Sequence, residues 1–181
     1  MGDTEIKKYR SVKNMSKTKK IATFGIGIAL YVVLGCAMNI PLLVGSHLQT
    51  DLGYIVFGAF CYLFGWEAFI VGTLGCIAES MLVSGYFPVG WVLGQIVIGT
   101  ICGFIYTKTA SKVIHVIITV IVVFIGIAVI KTLVECALFG IPLVVKFPKN
   151  CVAFVADVIP MIIGLLTAYR IKKARDKNDD A

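Results

Sequence analysis

The sequence predicts an all-α membrane protein, a bundle of six transmembrane helices with both the N and C termini cytoplasmic, and three observations carry that prediction. Of the 181 residues, 59% are hydrophobic and 15% charged, and the mean hydropathy is +0.93. Apolar runs recur at close to the roughly 20 residues that a helix needs to cross a bilayer, longer than a buried helix of a soluble domain requires. The basic residues gather at the chain ends. Lys7, Lys8, Arg10, Lys13, Lys17, Lys19 and Lys20 precede the first apolar run, and Arg170, Lys172, Lys173, Arg175 and Lys177 follow the last.

The net charge of +7 is therefore a topology signal and not a nucleic-acid footprint. An even number of spans puts both termini on one side. The basic tails, with Lys108 and Lys112, make that side the cytoplasm by the positive-inside bias. Residues 1–20 form a basic cytoplasmic N-terminal segment, 21–170 the transmembrane domain and 171–181 a basic cytoplasmic tail.

Each span follows from its punctuation. The run from Ile21 to Val44 makes the first helix, ending near Pro41; it is too long, and lacks the small-residue cleavage site, for a signal peptide. A connection containing Ser46, His47 and Gln49 comes next. Leu52–Trp66 and Ala68–Val83 read as a tight hairpin turned at Gly65-Trp66-Glu67. Ser84 to Gly90 has loop chemistry, and Trp91–Tyr106 is the fourth helix. Val113–Phe139 is the fifth and longest, broken at Gly140-Ile141-Pro142. Lys146 to Asn150 reads as the next loop, and Val152–Tyr169 as the sixth helix. No run alternates polar with apolar as a membrane barrel strand does. Cys36, Cys61, Cys76, Cys102, Cys136 and Cys151 stand singly in apolar runs and read as small helix residues.

Ionisable groups cost roughly 2.5 to 3.5 kcal/mol to place mid-membrane, so each one marks a functional candidate. The candidates are Glu79 on the third helix, Gln95 on the fourth, Lys131 and Glu135 on the fifth and Asp157 on the sixth. Counted along their helices, all fall in the outer half of the bilayer. Structural polar glue has no reason to collect in one leaflet across four helices, whereas a shared external cavity does. Trp91 lies one turn from Gln95 and offers an aromatic wall beside an amide. Lys131 and Glu135, four apart, could also neutralise each other. Pro160 frees the carbonyl of Ala156 beside Asp157. Tyr86, Phe87 and Trp91 are expected above the cavity, with Ser46, His47 and Gln49 in the loop that closes it. The cavity suits a small, partly flat, polar molecule. His47 and His115 read as solvated residues and not as metal ligands. Gly90 with Gly94, and Gly99 with Gly103, have the spacing of close helix packing.

The chain has no Gly-Lys pair and hence no phosphate loop, so any ATP is used by a partner. It has no His-Glu-x-x-His metal site, no Gly-x-Ser-x-Gly elbow and no Ser/His/Asp set at common depth, which argues against an enzyme. Neither metal nor cofactor is expected.

Leu30-Tyr31-Val32-Val33-Leu34, the segment Gly72-Thr73-Leu74-Gly75-Cys76-Ile77-Ala78-Glu79, and Ser84-Gly85-Tyr86-Phe87-Pro88 running into Trp91 and Gly99 together resemble the S components of energy-coupling factor (ECF) importers, nearest the riboflavin-type group. The resemblance covers residues 21 to 170. It implies capture of a water-soluble vitamin or related heteroaromatic micronutrient at the external face of a bacterial plasma membrane. It also implies a first helix docking onto the transmembrane coupling subunit through Ala22, Gly25 and Ala29, and two cytoplasmic ATPase subunits that supply energy. The competing expectation is a stand-alone proton-coupled secondary transporter using Glu79, Glu135 or Asp157 as a relay.

Overall fold

The computed structural model describes residues 15–37, 40–41 and 49–179, and what it describes is almost entirely helical. Helix α1 (Lys17–Ala37) opens on Ser16, whose Oγ accepts the Lys19 backbone N–H at 3.3 Å and satisfies an otherwise orphaned donor of the first turn. It ends before the expected Pro41. Ile40–Pro41 (β1) instead pairs antiparallel with Gln49–Thr50 (β2), Ile40 opposite Thr50. Proline drives the residue before it to extended backbone, which takes Ile40 off the helical path.

Helices α2 (Gly53–Phe64) and α3 (Phe69–Val83) are joined by the 3-10 turn Gly65–Ala68. Gly65 has φ 67°, where a side chain would be strained, and the chain doubles back there. A Cβ on Gly72 would lie 2.5 Å from the Phe57 ring, so the two helices lie against each other. Asp51, just before α2, hydrogen-bonds Glu79 near the end of α3. By length and composition, five stretches could cross a membrane: Lys17–Cys36, Gly53–Val83 taken as a whole, Val89–Lys108, Lys112–Phe139 and Leu143–Ala174.

Helix α4 (Val89–Lys108) starts directly after Pro88. Helix α5 (Lys112–Val123) runs without a break through a π-helical stretch, Phe124–Lys131, into α6 (Thr132–Phe139). Gly140, with φ 64°, ends it in the left-handed conformation that closes many helices. The last helix, α7 (Leu143–Asp179), has 37 residues, about 55 Å at the α-helical rise, and outruns the hydrocarbon. The loop expected at Lys146–Asn150 is therefore helical. Pro148 lies in the second turn of α7, where the N–H it lacks would have bonded the carbonyl of Val144 near the open helix end. Lys146 and Asn150 are both held by polar partners on the preceding helix.

Contacts sort the bundle into two ends. At one, Lys20 Nζ pairs with Glu67 at 2.5 Å, Lys112 lies 4.1 Å from the centroid of Tyr169, and Tyr62 sits 5.5 Å from the same ring. At the other lie Asp51, Glu79, Trp91 and Asp157.

Lipid chains are as apolar as leucine, so helices in a membrane associate through close backbone approach and polar contacts. The glycines supply the approach. A Cβ on Gly58 would collide with the carbonyl of Met161, and one on Gly164 with the carbonyl of Ile55, which locks α2 to α7 from both sides. A Cβ on Gly103 would strike the Gly65 carbonyl, and one on Gly94 would sit 2.9 Å from the carbonyl of Gly126. The small-residue pairs of α4 thus serve internal packing. Gly164→Ala is expected to destabilise the fold by about 1 to 3 kcal/mol, the usual cost of overpacking. The measurement is loss of monodisperse protein on heating in detergent; Gly25→Ala, with nothing within 4 Å of the added carbon, is the unaffected control.

Candidate functional site

A cavity of about 190 Å³ opens at the second end of the bundle. Asp51 before α2, Glu79 on α3, Trp91 and Gln95 on α4 and Asp157 on α7 line it. Ser80, Ser84 and Tyr86 complete the side formed by the end of α3 and its link to α4.

Tyr31 of α1, fully buried, holds the floor together. Its hydroxyl donates to Asp51 Oδ2 at 2.6 Å and accepts from Gln95 Nε2 at 3.3 Å. Asp51 Oδ1 accepts the Gly53 N–H at 2.7 Å, an Asx-type turn that starts α2. The Asp51 N–H in turn donates to Asp157 Oδ1 at 3.3 Å and ties the α2 entry to α7. Burial pushes the Asp51 carboxyl above the usual carboxylate range, against hydrogen bonds from Tyr31 and Gly53 that lower it. Glu79 packs over Gly35 of α1, where a Cβ would come 2.5 Å from the carboxylate carbon. Two buried oxygens of this region, Gln95 Oε1 and the Tyr54 hydroxyl, have no hydrogen-bond partner among the described residues.

A second polar cluster lies behind Trp91. Lys131 Nζ sits 3.6 Å from the Trp91 ring centroid and donates to Asn150 Oδ1 at 2.8 Å. Asn150 Nδ2 donates to Thr132 Oγ1 at 2.9 Å and to Glu135 Oε2 at 3.3 Å. Glu135 pairs with Lys146 at 3.0 Å. Lys131 and Glu135 thus act on each other as charges without a direct ion pair, and each takes its close partner from α7. Lys131 closes the π-helical stretch, whose wider turn breaks the simple four-residue register with the first turn of α6.

Of the residues singled out in the sequence, Glu79, Trp91, Gln95 and Asp157 meet in the cavity, whereas Lys131 and Glu135 do not line it. Phe87 is half exposed and stands outside. His47 and Ser46 lie outside the described residues, and Gln49 is described only as backbone in β2. Ala22, Gly25 and Ala29 are exposed along one side of α1. His115, expected to be solvated, is buried, its Nε2 2.9 Å from the carbonyl oxygen of Thr109 and its ring against Tyr106. Sequence reasoning missed Tyr31, Asp51 and Asn150 as parts of the polar architecture.

Apolar helices long enough to cross a bilayer, with a polar cavity at one end of the bundle, mark a multi-pass membrane protein. Over residues 15–177 the chain matches the family model described as ECF-type riboflavin transporter, S component, and it belongs to that family, one of transporter subunits and not of enzymes. Among curated relatives, a UPF0397 protein of Lactococcus lactis subsp. cremoris (strain SK11) is 36% identical over 98 residues, covering 54% of this chain and 51% of its own length. A UPF0397 protein of Streptococcus agalactiae serotype Ia is 29% identical over 100 residues, 55% of this chain and 54% of the relative. One of Phytoplasma australiense is 30% identical over 93 residues, 51% and 47%. The chain spans about half the length of the curated relatives it matches.

Proposed function

We propose that this chain captures a water-soluble vitamin or related small heteroaromatic micronutrient at the external face of a bacterial plasma membrane and delivers it to an ATP-driven importer. The cavity carries this reading: carboxyls, an amide and an aromatic ring from separate helices converge on one space at one end of the bundle. The turn at Gly65 supports reading Gly53–Val83 as two crossings, which makes six in all. Lys20, Lys112 and Tyr169 then share an end, and the positive-inside bias makes it cytoplasmic, so the cavity opens outward. His47, Gln49, Glu79, Trp91, Gln95 and Asp157 are the ligand-contacting residues in this reading. Lys131 and Glu135 support them from behind Trp91.

The absence of any phosphate loop leaves energy to partners, a transmembrane coupling subunit and two cytoplasmic ATPases. The exposed side of α1 bearing Ala22, Gly25 and Ala29 is the docking face for the coupling subunit, with small residues permitting close helix approach.

The test is reconstitution. The purified chain is expected to retain a small molecule identifiable by mass spectrometry after release, and in liposomes to bind it without accumulating it. Accumulation by the chain alone under an ion gradient would instead establish a secondary transporter with carboxylates as proton relay, and no binding at all would remove the capture role. Gly25→Trp is expected to leave ligand binding unchanged in the isolated chain and to reduce partner-dependent uptake at least about tenfold, about 1.4 kcal/mol of docking energy.

A further inference from the structure

Among the described residues the cavity lining is acidic, with Asp51 and Glu79 sharing a proton through their hydrogen bond. Asp51, Glu79 and Asp157 all line it, and no lysine, arginine or histidine does among the described residues. Lys131, whose charge reaches Asp157, stands outside the cavity lining: its Nζ bonds Asn150 and lies against the Trp91 ring. A buried carboxylate without a cation or a full set of donors is costly.

Gln95 independently points the same way. Its residue is 1% exposed and it lines the cavity, yet its Oε1 has no partner among the described residues. The Tyr31 hydroxyl spends its proton on Asp51 Oδ2, so toward Gln95 it can only accept; this fixes Nε2 on Tyr31 and leaves the carbonyl oxygen as the free branch. An unpartnered acceptor beside three carboxyls calls for a ligand that brings donors. Trp91 and Tyr86 are among the lining residues, and aromatic rings favour a flat cation. A metal ion fits poorly, because no group of three His, Cys, Asp or Glu among the described residues is placed to hold one. The volume of about 190 Å³ admits a ring-sized solute.

We infer that the cavity selects a small planar organic cation with N–H donors, a protonated amino-heterocycle or amidine, over neutral or anionic rings of the same shape. This rests on the capture role proposed above and specifies the charge of what is captured.

Three rings of nearly equal size test it: benzamidinium, benzamide and benzoate, titrated against Trp91 fluorescence in a Trp66→Phe background, with riboflavin in a parallel titration. Benzamidinium is expected to bind at least about tenfold more tightly than benzamide, with benzoate weaker still. Glu79→Gln is expected to remove most of that preference. Ser84→Lys, at an exposed rim position that leaves the buried carboxyls intact, is expected to weaken benzamidinium at least about tenfold without weakening benzoate. Equal affinity for benzamidinium and benzamide, preference for benzoate, or no binding of any of the three overturns the charge selection. Tight riboflavin binding in that event leaves the capture role standing. If riboflavin also fails to bind and no small molecule co-purifies, the capture role falls with it.

Discussion

Asn150→Leu is expected to destabilise the folded protein by about 3 kcal/mol or more, the range for stranding a buried charge without its hydrogen-bond acceptor. Lys131 is 5% exposed, and Asn150 Oδ1 at 2.8 Å is its side-chain acceptor. Leucine has the same branching and leaves no cavity, but it is larger, so the charge-removing second variant is what separates the polar loss from overpacking. The same substitution removes the donor that Asn150 gives Thr132 and Glu135, so the start of α7 loses its tie to α6. Thermal unfolding in detergent measures the total. Lys131→Met in the Asn150→Leu background should recover most of the loss, because it removes the charge that the first change stranded. No recovery would mean that Asn150 acts through the packing of the α7 start and not through the ammonium.

The sequence made part of this legible and hid the rest for identifiable reasons. Glu79, Gln95 and Asp157 could be placed at one depth by counting along helices of fixed rise from turns marked by glycine and proline, and they meet in the cavity. Tyr31 and Asp51 could not be seen this way. One is an aromatic inside an apolar helix, the other an acid in a polar connection. Their union depends on the β1–β2 ladder and the Asx-type turn, which no periodicity announces. Asn150 was hidden by Pro148, a loop signal that the open end of a helix tolerates. The four-residue spacing of Lys131 and Glu135 misled because the π-helical stretch ends at Lys131, a departure from regular helix that composition does not encode. The turn of the Gly53–Val83 hairpin was legible in the Gly65-Trp66-Glu67 break, where Gly65 has positive φ and Gly72 comes against Phe57.

Trp91→Ala is expected to weaken capture of the natural ligand at least about 30-fold, about 2 kcal/mol, as for aromatic anchors at the centre of binding sites. The ring has two roles. It lines the cavity, and it covers the Lys131 amine 3.6 Å from its centroid. Removing it deletes the stacking surface and also opens a path between the Lys131 ammonium and the carboxyls of Asp157 and Glu79, so the protein's own cation competes for the site. Two further variants separate these contributions by equilibrium binding of the co-purified molecule. Trp91→Phe keeps a ring over the amine and should lose far less affinity than alanine. The double variant Trp91→Ala with Lys131→Met removes the internal competitor and should regain part of the loss for a cationic ligand. If Trp91→Ala stays within roughly threefold of the parent, the ring is no wall of the binding site and the ligand lies elsewhere. If the double variant binds no better than Trp91→Ala, the lysine does not reach the carboxyls, and the stacking surface alone accounts for the effect.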